Sequence, residues 1–301
     1  MSDANACPVC GSGRPAHPRI LPGLRIDSCG ACGHREARHG AAKPGSDYHD
    51  QYDAGPFLEA LRATRVRQAR RLIEVLRRHV PDASGVVDYG AGRGWFLEAC
   101  RAAGIERLAG VDTSQVSVDG LTRSGIEVHR LSTDEDAASA LSRLSFRPRV
   151  LSLLDVIEHF PPDRLESRLR SIVGACGRGL ELVIVKVPVP GLLYAGASAL
   201  ARVGFSGPFL QLYQAGTWPP HFSYFSLASA RLALAAAGLS VIESFGDADF
   251  EPAFLGQRIG ATGPISTALA RVGGEALGAA IGVTGRFDSV VLLARLASAL
   301  P

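Results

Sequence analysis

The chain has 301 residues, 47% of them apolar and 20% charged, with a net charge of +3. That length and apolar fraction bury enough core for one sizeable domain with an appendage, and the charge balance neither favours nor excludes nucleic acid. No stretch of 18 or more apolar residues runs free of charge and proline, so no membrane span is expected. The opening segment Met1-Ser2-Asp3-Ala4-Asn5-Ala6 carries neither a basic nor an apolar leader run, so the expected setting is the cytoplasm, with reduced thiols.

Residues 1–40 read as a small unit built on cysteine. Cys7-x-x-Cys10 and Cys29-x-x-Cys32 are separated by 18 residues, which matches a four-cysteine zinc ribbon. Gly11 and Gly33 each follow the second cysteine of a pair, where glycine frees the backbone to turn under a metal. Four thiolates complete a tetrahedron and leave no open position, so a structural ion is expected, not a catalytic one. Two disulfides are the alternative, disfavoured in a reducing compartment. His34 is a spare ligand candidate, expected to be a solvated neighbour. So small a unit cannot fold on its apolar core, and metal binding supplies the folding free energy. Cys100 and Cys176 sit in apolar helical contexts and read as core.

Residues 41–80 form a link and a helix. The link to residue 55 is polar and contains Tyr48, His49, Asp50 and Tyr52. Pro56 to His79 reads as one amphipathic helix ended by Pro81, with Phe57, Leu58, Leu61, Val66, Leu72, Ile73 and Leu76 set against many arginines. The arginine face is expected to be solvated, with a nucleic-acid stripe as the alternative.

From 81 to 301 short apolar runs alternate with helical patterns, which predicts an α/β domain with a parallel sheet. Strands are expected near 85–89, 107–112, 126–130, 149–154, 180–187, 239–246 and 287–295. Helices are expected at 94–103, 114–123, 134–143 and 161–175, and from Ser226 to Ala237 with Ser226 as cap. Two Ala- and Leu-rich insertions, near 191–217 and 252–286, fall outside this alternation. They are expected to supply extra core, a dimer face or a lid over an apolar substrate.

The most informative stretch is Val86-Val87-Asp88-Tyr89-Gly90-Ala91-Gly92-Arg93-Gly94-Trp95. A strand ends in an acid, three glycines alternate, and a helix begins. Asp112 ends the next strand 18 residues past Gly94, where an acid accepts ribose hydroxyls. The chain therefore reads as a binder of a nucleoside-containing cofactor. A dinucleotide fingerprint needs a third glycine where Trp95 stands, and Asp88 would repel a pyrophosphate. The same acid would attract an ammonium group, as on S-adenosylmethionine, which carries an amino-acid end, a sulfonium and a ribose but no phosphate.

The pattern Asp-x-Gly-x-Gly-x-Gly followed by the Asp112 acid resembles the class I S-adenosylmethionine-dependent methyltransferases. Asp155-Val156-Ile157-Glu158-His159-Phe160 is similar to a segment of their small-molecule members, as is Pro219-x-His221-x-x-x-Phe225-Ser226. Val189 stands where that group commonly has Asn. The resemblance implies a Rossmann-like seven-stranded sheet with helices on both faces and an antiparallel last strand. It implies that Asp88, Gly90, Ala91, Gly92, Gly94, Asp112, Thr113, Thr133, Asp134 and Asp155 line the S-adenosylmethionine site. Asp88 would meet the ammonium, Asp112 the ribose, Thr113 and Asp134 or Thr133 the adenine, and Asp155 the methionyl part. His159 is the first candidate for general base and His221 the second, with Tyr224 as a hydrogen-bonding partner. Glu158 beside His159 could hold a divalent metal, but the pair alone is a thin ligand set.

The expected function is methyl transfer to oxygen, nitrogen or carbon of a small molecule in bacterial biosynthesis, the acceptor being apolar or carrier-tethered and the enzyme a homodimer in one reading. An RNA methyltransferase gripping its substrate with the ribbon is the enzyme alternative. It lacks the Asn/Asp-Pro-Pro-Tyr/Phe segment after the fourth strand of the domain that base methylation often uses. A non-catalytic interaction module with a retained pocket is the other alternative, opposed by the intact Asp88 and Asp112.

Overall fold

The computed structural model describes residues 6–13, 18–40, 55–132, 137–258 and 263–297. Its central element is a seven-stranded sheet. The strands are β4 (Val86–Tyr89), β5 (Leu108–Asp112), β6 (Glu127–Arg130), β7 (Val150–Leu154), β8 (Leu182–Pro188), β10 (Leu239–Asp247) and β11 (Ser289–Leu296), in the order β10-β11-β8-β7-β4-β5-β6. Pairing is parallel from β8 to β6, with Val86 opposite Leu108 on one side and Val150 on the other. β11 runs antiparallel to both β8 and β10. This is the expected Rossmann-like arrangement with the expected reversed last strand.

Strict alternation of side chains along these strands divides the apolar interior into two cores. Val87, Leu151, Val183, Val185 and Leu292 face one way, against α4 (Ala137–Ser142), α5 (Leu165–Cys176) and α8 (Leu227–Ala236). Val86, Val150, Leu182, Ile184 and Val291 face the other way, against α1 (Pro56–His79), α2 (Trp95–Ala102) and α3 (Gln115–Arg123). Both faces are dry, which is why the runs read as continuously apolar and not as alternating. Cys100 and Cys176 are buried in these cores, as their contexts indicate.

Arg62, Arg70, Arg71, Arg77 and Arg78 of α1 are exposed, as expected of a solvated face, and several arginines of the helix also reach partners in the fold. Arg67 bonds Asp247, Glu251 and the carbonyl of Ala248, and Arg71 bonds the carbonyl of Gly246 and stacks on Phe245. Arg78 bonds Glu243. Guanidinium forks that hold carboxylates and carbonyls of β10 and the loop after it pin the helix across the sheet. Arg67, Arg71 and Arg78 are thereby tied to partners within the fold.

The cysteine unit contributes β1 (Arg19–Leu21), β2 (Leu24–Ser28) and β3 (Arg35–His39), joined by a strand absent from the sequence reading, β9 (Ser223–Tyr224). Arg35 lies opposite Tyr224 and Glu36 opposite Ser223, so a segment of the large domain completes the small sheet. The insertion at 191–217 forms α6 (Leu192–Arg202) and α7 (Gly207–Leu212). Tyr194, Phe209 and Tyr213 from this insertion pack with Leu24, Ile26 and Ala37 of the ribbon and with Tyr224. The ribbon thus borrows its apolar core from the insertion, which answers its own shortage of core. His34 is a correction: it is buried, not solvated, with its ring 5.1 Å from that of Phe225.

The second insertion forms α9 (Leu255–Arg258) and α10 (Pro264–Thr284). Ile265, Leu269 and Val272 on α10 are exposed, so this helix adds surface and little core. Tyr48 to Tyr52, in the link, lie outside the described residues.

Ser226 is the joint between the two parts. Its Oγ accepts the Ser229 N–H as cap of α8 and donates to the carbonyl of Cys32 at 2.5 Å. Ser226→Ala should lower stability by about 1–2 kcal/mol, a lost cap together with an orphaned buried carbonyl. Thermal unfolding reads this directly, and a change within error would mean that the joint contributes nothing.

Candidate functional site

The turn after β4 is built by glycines in conformations that other residues avoid. Gly90, Gly92 and Gly94 have φ of 77°, 51° and 75°. A Cβ on Gly90 would sit 2.5 Å from Val156 Cγ2, and one on Gly94 2.4 Å from Leu121 Cδ2. Geometry and space therefore both require glycine at these two positions. The Gly90 N–H donates to the carbonyl of Val111, tying the turn to β5.

Asp112 closes that tie from the other strand. Its Oδ2 accepts the Gly92 N–H at 2.7 Å and its Oδ1 the Ser114 N–H at 2.8 Å. Each oxygen keeps a further lone pair for an outside donor. Thr113 is exposed beside it, and Ala91 is buried in the turn; both line the cavity described below. Thr133 and Asp134 lie outside the described residues.

Asp88 is fully buried, and its Oδ1 accepts the Ser152 hydroxyl at 2.6 Å. Burial pushes its carboxyl up to about 7 against the pull of that hydrogen bond, and nearby Asp112 adds to the push.

Asp155 stands at the end of β7 with φ of 57°, an unfavourable conformation for a non-glycine residue. Its carboxylate holds the ammonium of Lys186 at 2.7 and 3.0 Å and Arg65 at 2.5 Å. Lys186 is 1% exposed and also reaches Asp249 at 2.7 Å. Arg65, Lys186 and Asp249 were not singled out in the sequence as site residues. One signal was legible: Lys186 is one of only two lysines and lies in an otherwise apolar strand.

The two candidate histidines meet. His159 comes from a 3₁₀ turn, Ile157–His159, and His221 from the segment leading into β9; their ring centroids are 4.7 Å apart. His159 Nδ1 lies 2.9 Å from the carbonyl of Pro220, so Nδ1 carries the proton and Nε2 presents a lone pair. Burial holds both imidazoles below their usual range, His221 well below, so both are neutral at pH 7. Tyr224 is buried, its ring 6.3 Å from His221 and 5.0 Å from Tyr213, and burial drives its phenol well above the usual range. It belongs to the aromatic packing beneath the histidines.

Asp88, Gly90, Gly92, Asp112, Asp155, Lys186, His159, His221 and Tyr224 line one cavity of about 1560 Å³, whereas Gly94 lies outside its lining. Single-ligand pockets span about 300–1,000 Å³, so this one has room for two molecules side by side. The glycine turn and Asp112 line one part. Leu192, Leu193, Leu200 and Trp218 give another part an apolar wall.

The four cysteines converge as their spacing indicates. Cys7 and Cys32 sulfurs lie 3.7 Å apart, Cys10 and Cys29 3.6 Å, and none is in a disulfide. Four thiolates on a tetrahedral ion with bonds of about 2.3 Å would be about 3.8 Å apart, so the spacing fits such an ion. Gly11 and Gly33, both with φ of 72°, donate to the carbonyls of Cys7 and Cys29 and form the two turns.

The sequence profile described as a methyltransferase domain matches residues 60–244. The chain belongs to that family, the S-adenosylmethionine-dependent methyltransferases. No curated protein matches the chain. Among solved structures it is similar to a SAM-dependent methyltransferase from Archaeoglobus fulgidus, at 18% identity and TM-score 0.47, covering 82% of this chain and 97% of that one. It is also similar to the magnesium protoporphyrin IX methyltransferase of Synechocystis PCC 6803 with bound SAH, at 15% identity and TM-score 0.47, covering 85% and 90%. No described helix is long and apolar enough to cross a membrane.

The raised Asp88 carboxyl has a consequence for stability. Folded, it stays protonated up to about pH 7, whereas unfolded it ionises near its ordinary 3.8. Folding thus takes up a proton between these values, and stability falls as pH rises from about 4 to 7 and then levels. Denaturant titrations across that window should show a steeper decline for the wild type than for Asp88→Asn. Parallel curves would mean that Asp88 is ionised in the fold.

Proposed function

We propose that the chain transfers a methyl group from S-adenosylmethionine to a small apolar acceptor, with zinc held structurally by Cys7, Cys10, Cys29 and Cys32. The observation that carries this reading is the Asp112 carboxylate, held by two backbone amides at the lip of a glycine turn with lone pairs to spare. That arrangement suits a ribose diol. Asp88 would meet the ammonium, directly or through water, and Asp155 the methionyl end. The sulfonium supplies an already activated methyl carbon. What remains for the protein is to hold donor and acceptor aligned, about 3–3.5 Å apart, and to exclude water. The cavity volume suits such a pairing, and its apolar wall suits an acceptor with little charge. The neutral lone pairs of His159 and His221 would face the acceptor, where a proton must leave if the methyl goes to oxygen or nitrogen.

Calorimetric titration with S-adenosylmethionine and S-adenosylhomocysteine should show saturable binding, and NAD none. Asp112→Ala should weaken both by about 100-fold, the loss of two charge-assisted hydrogen bonds. Unchanged affinity would mean that the ribose does not sit there. Binding should also strengthen as pH rises through about 7, because Asp88 must ionise to meet the ammonium.

The ribbon should carry one zinc per chain by elemental analysis, and Cys29→Ser should lose it. Zinc loss should also impair turnover, because β3 braces the His221 segment: Ala37 N–H donates to the carbonyl of Phe222, and the His39 ring lies 2.8 Å from the carbonyl of His221. Full turnover without zinc would restrict the ribbon to other duties.

A further inference from the structure

Lys186 and Arg65 reach Asp155 and Asp249, whereas both oxygens of Glu158 are buried with no hydrogen-bond partner. A buried, unpartnered carboxylate is costly unless something cationic meets it. The groups that do face it are His159 and His221. One donor atom from each of the three residues lies within 4.8 Å of the others. The Pro220 carbonyl orients His159 so that Nε2 is the free donor, the outer-sphere arrangement common for metal-binding histidines. His221 Nδ1 is likewise buried without a partner.

We propose that Glu158, His159 and His221 form a second metal site, for a divalent transition cation such as Mn²⁺, which binds the oxygen of a hydroxyl-bearing acceptor. Two imidazoles and one carboxylate suit such cations better than Mg²⁺ or Ca²⁺, which favour all-oxygen sets. Donors on one cation at about 2.1 Å lie about 3–4 Å apart, so small side-chain rotations close the site. Three protein ligands leave positions open toward the cavity. A hydroxyl or phenol taking one of them becomes more acidic and releases its proton to bulk solvent before the methyl donor closes on it. Its oxygen then bonds to the methyl carbon as the carbon–sulfur bond breaks, and that electron pair returns to sulfur. The histidines act as ligands here, and the acceptor atom is oxygen. This use of the site rests on the methyl-transfer reading; the cation site itself does not.

The test is Mn²⁺ binding to the full-length, zinc-loaded protein, followed by electron paramagnetic resonance. One Mn²⁺ per chain should bind. Glu158→Gln and His221→Ala should each weaken it at least tenfold, whereas Asp112→Ala should leave it unchanged while losing S-adenosylmethionine. Co²⁺ should give a weak absorption of nitrogen and oxygen ligands, distinct from the intense sulfur bands of the cysteine cluster. No Mn²⁺ or Co²⁺ binding outside the cysteines, or equal binding by Glu158→Gln and His221→Ala, overturns the site. If S-adenosylmethionine binds and Mn²⁺ does not, the cation site alone falls. If Mn²⁺ binds and S-adenosylmethionine does not, the methyl-transfer reading falls and the cation site stands.

Discussion

The carboxylate of Asp112 reaches across from the end of β5 to the backbone of the neighbouring glycine turn. One oxygen holds the Gly92 amide and the other the Ser114 amide. A loop of three glycines has large conformational freedom, and such a loop is shaped only if something outside it supplies the restraint. Here the restraint is an acid whose strand position is set by sheet pairing. Leu121 then fills the space beneath, against Gly94 and Gly110, where any Cβ would collide with it. The edge of the cavity follows from that packing.

The opposite edge of the cavity depends on a different constraint, the shortage of core in the cysteine unit. A metal can hold the two turns, but three short strands still need an apolar face to rest on. The insertion after β8 supplies it with Tyr194, Phe209 and Tyr213. The same insertion supplies Leu192, Leu193 and Leu200 to the cavity wall. Because β9 belongs to both parts, the segment carrying His221 lies between the ribbon and the 3₁₀ turn that carries His159. The Phe222 N–H donates to the carbonyl of Glu158, completing that clamp. The ribbon is thereby structural for the site as well as for itself.

Electrostatics separates the two ends of the cavity. Near the glycine turn, burial raises the Asp88 carboxyl to about 7, so it is protonated below that pH. Near the histidines, buried Lys186 bonds two carboxylates, Asp155 and Asp249, and Asp155 itself has a φ of 57°. Both arrangements place acidic groups at the cavity face of the sheet, where the ends of the parallel strands open.

Much of the architecture is local in origin and was therefore legible in the chain. The period of apolar residues marked the strands and helices, since both faces of a parallel sheet must be apolar. Chiral backbone limits marked Gly90 and Gly94, and metal geometry marked the two cysteine pairs. What depended on distant residues was not legible. The pairing of β9 with β3, the burial of His34 and the ties of Arg67, Arg71 and Arg78 to β10 and its following loop arise from contacts separated by more than 150 residues. Glu158 and His159 were visible as neighbours, but His221 joins them only because the chain returns past the ribbon. Sequence by itself determined which residues have the chemistry to bind; the tertiary structure decided which of them share a cavity, because proximity between remote segments is set by packing and not by spacing along the chain.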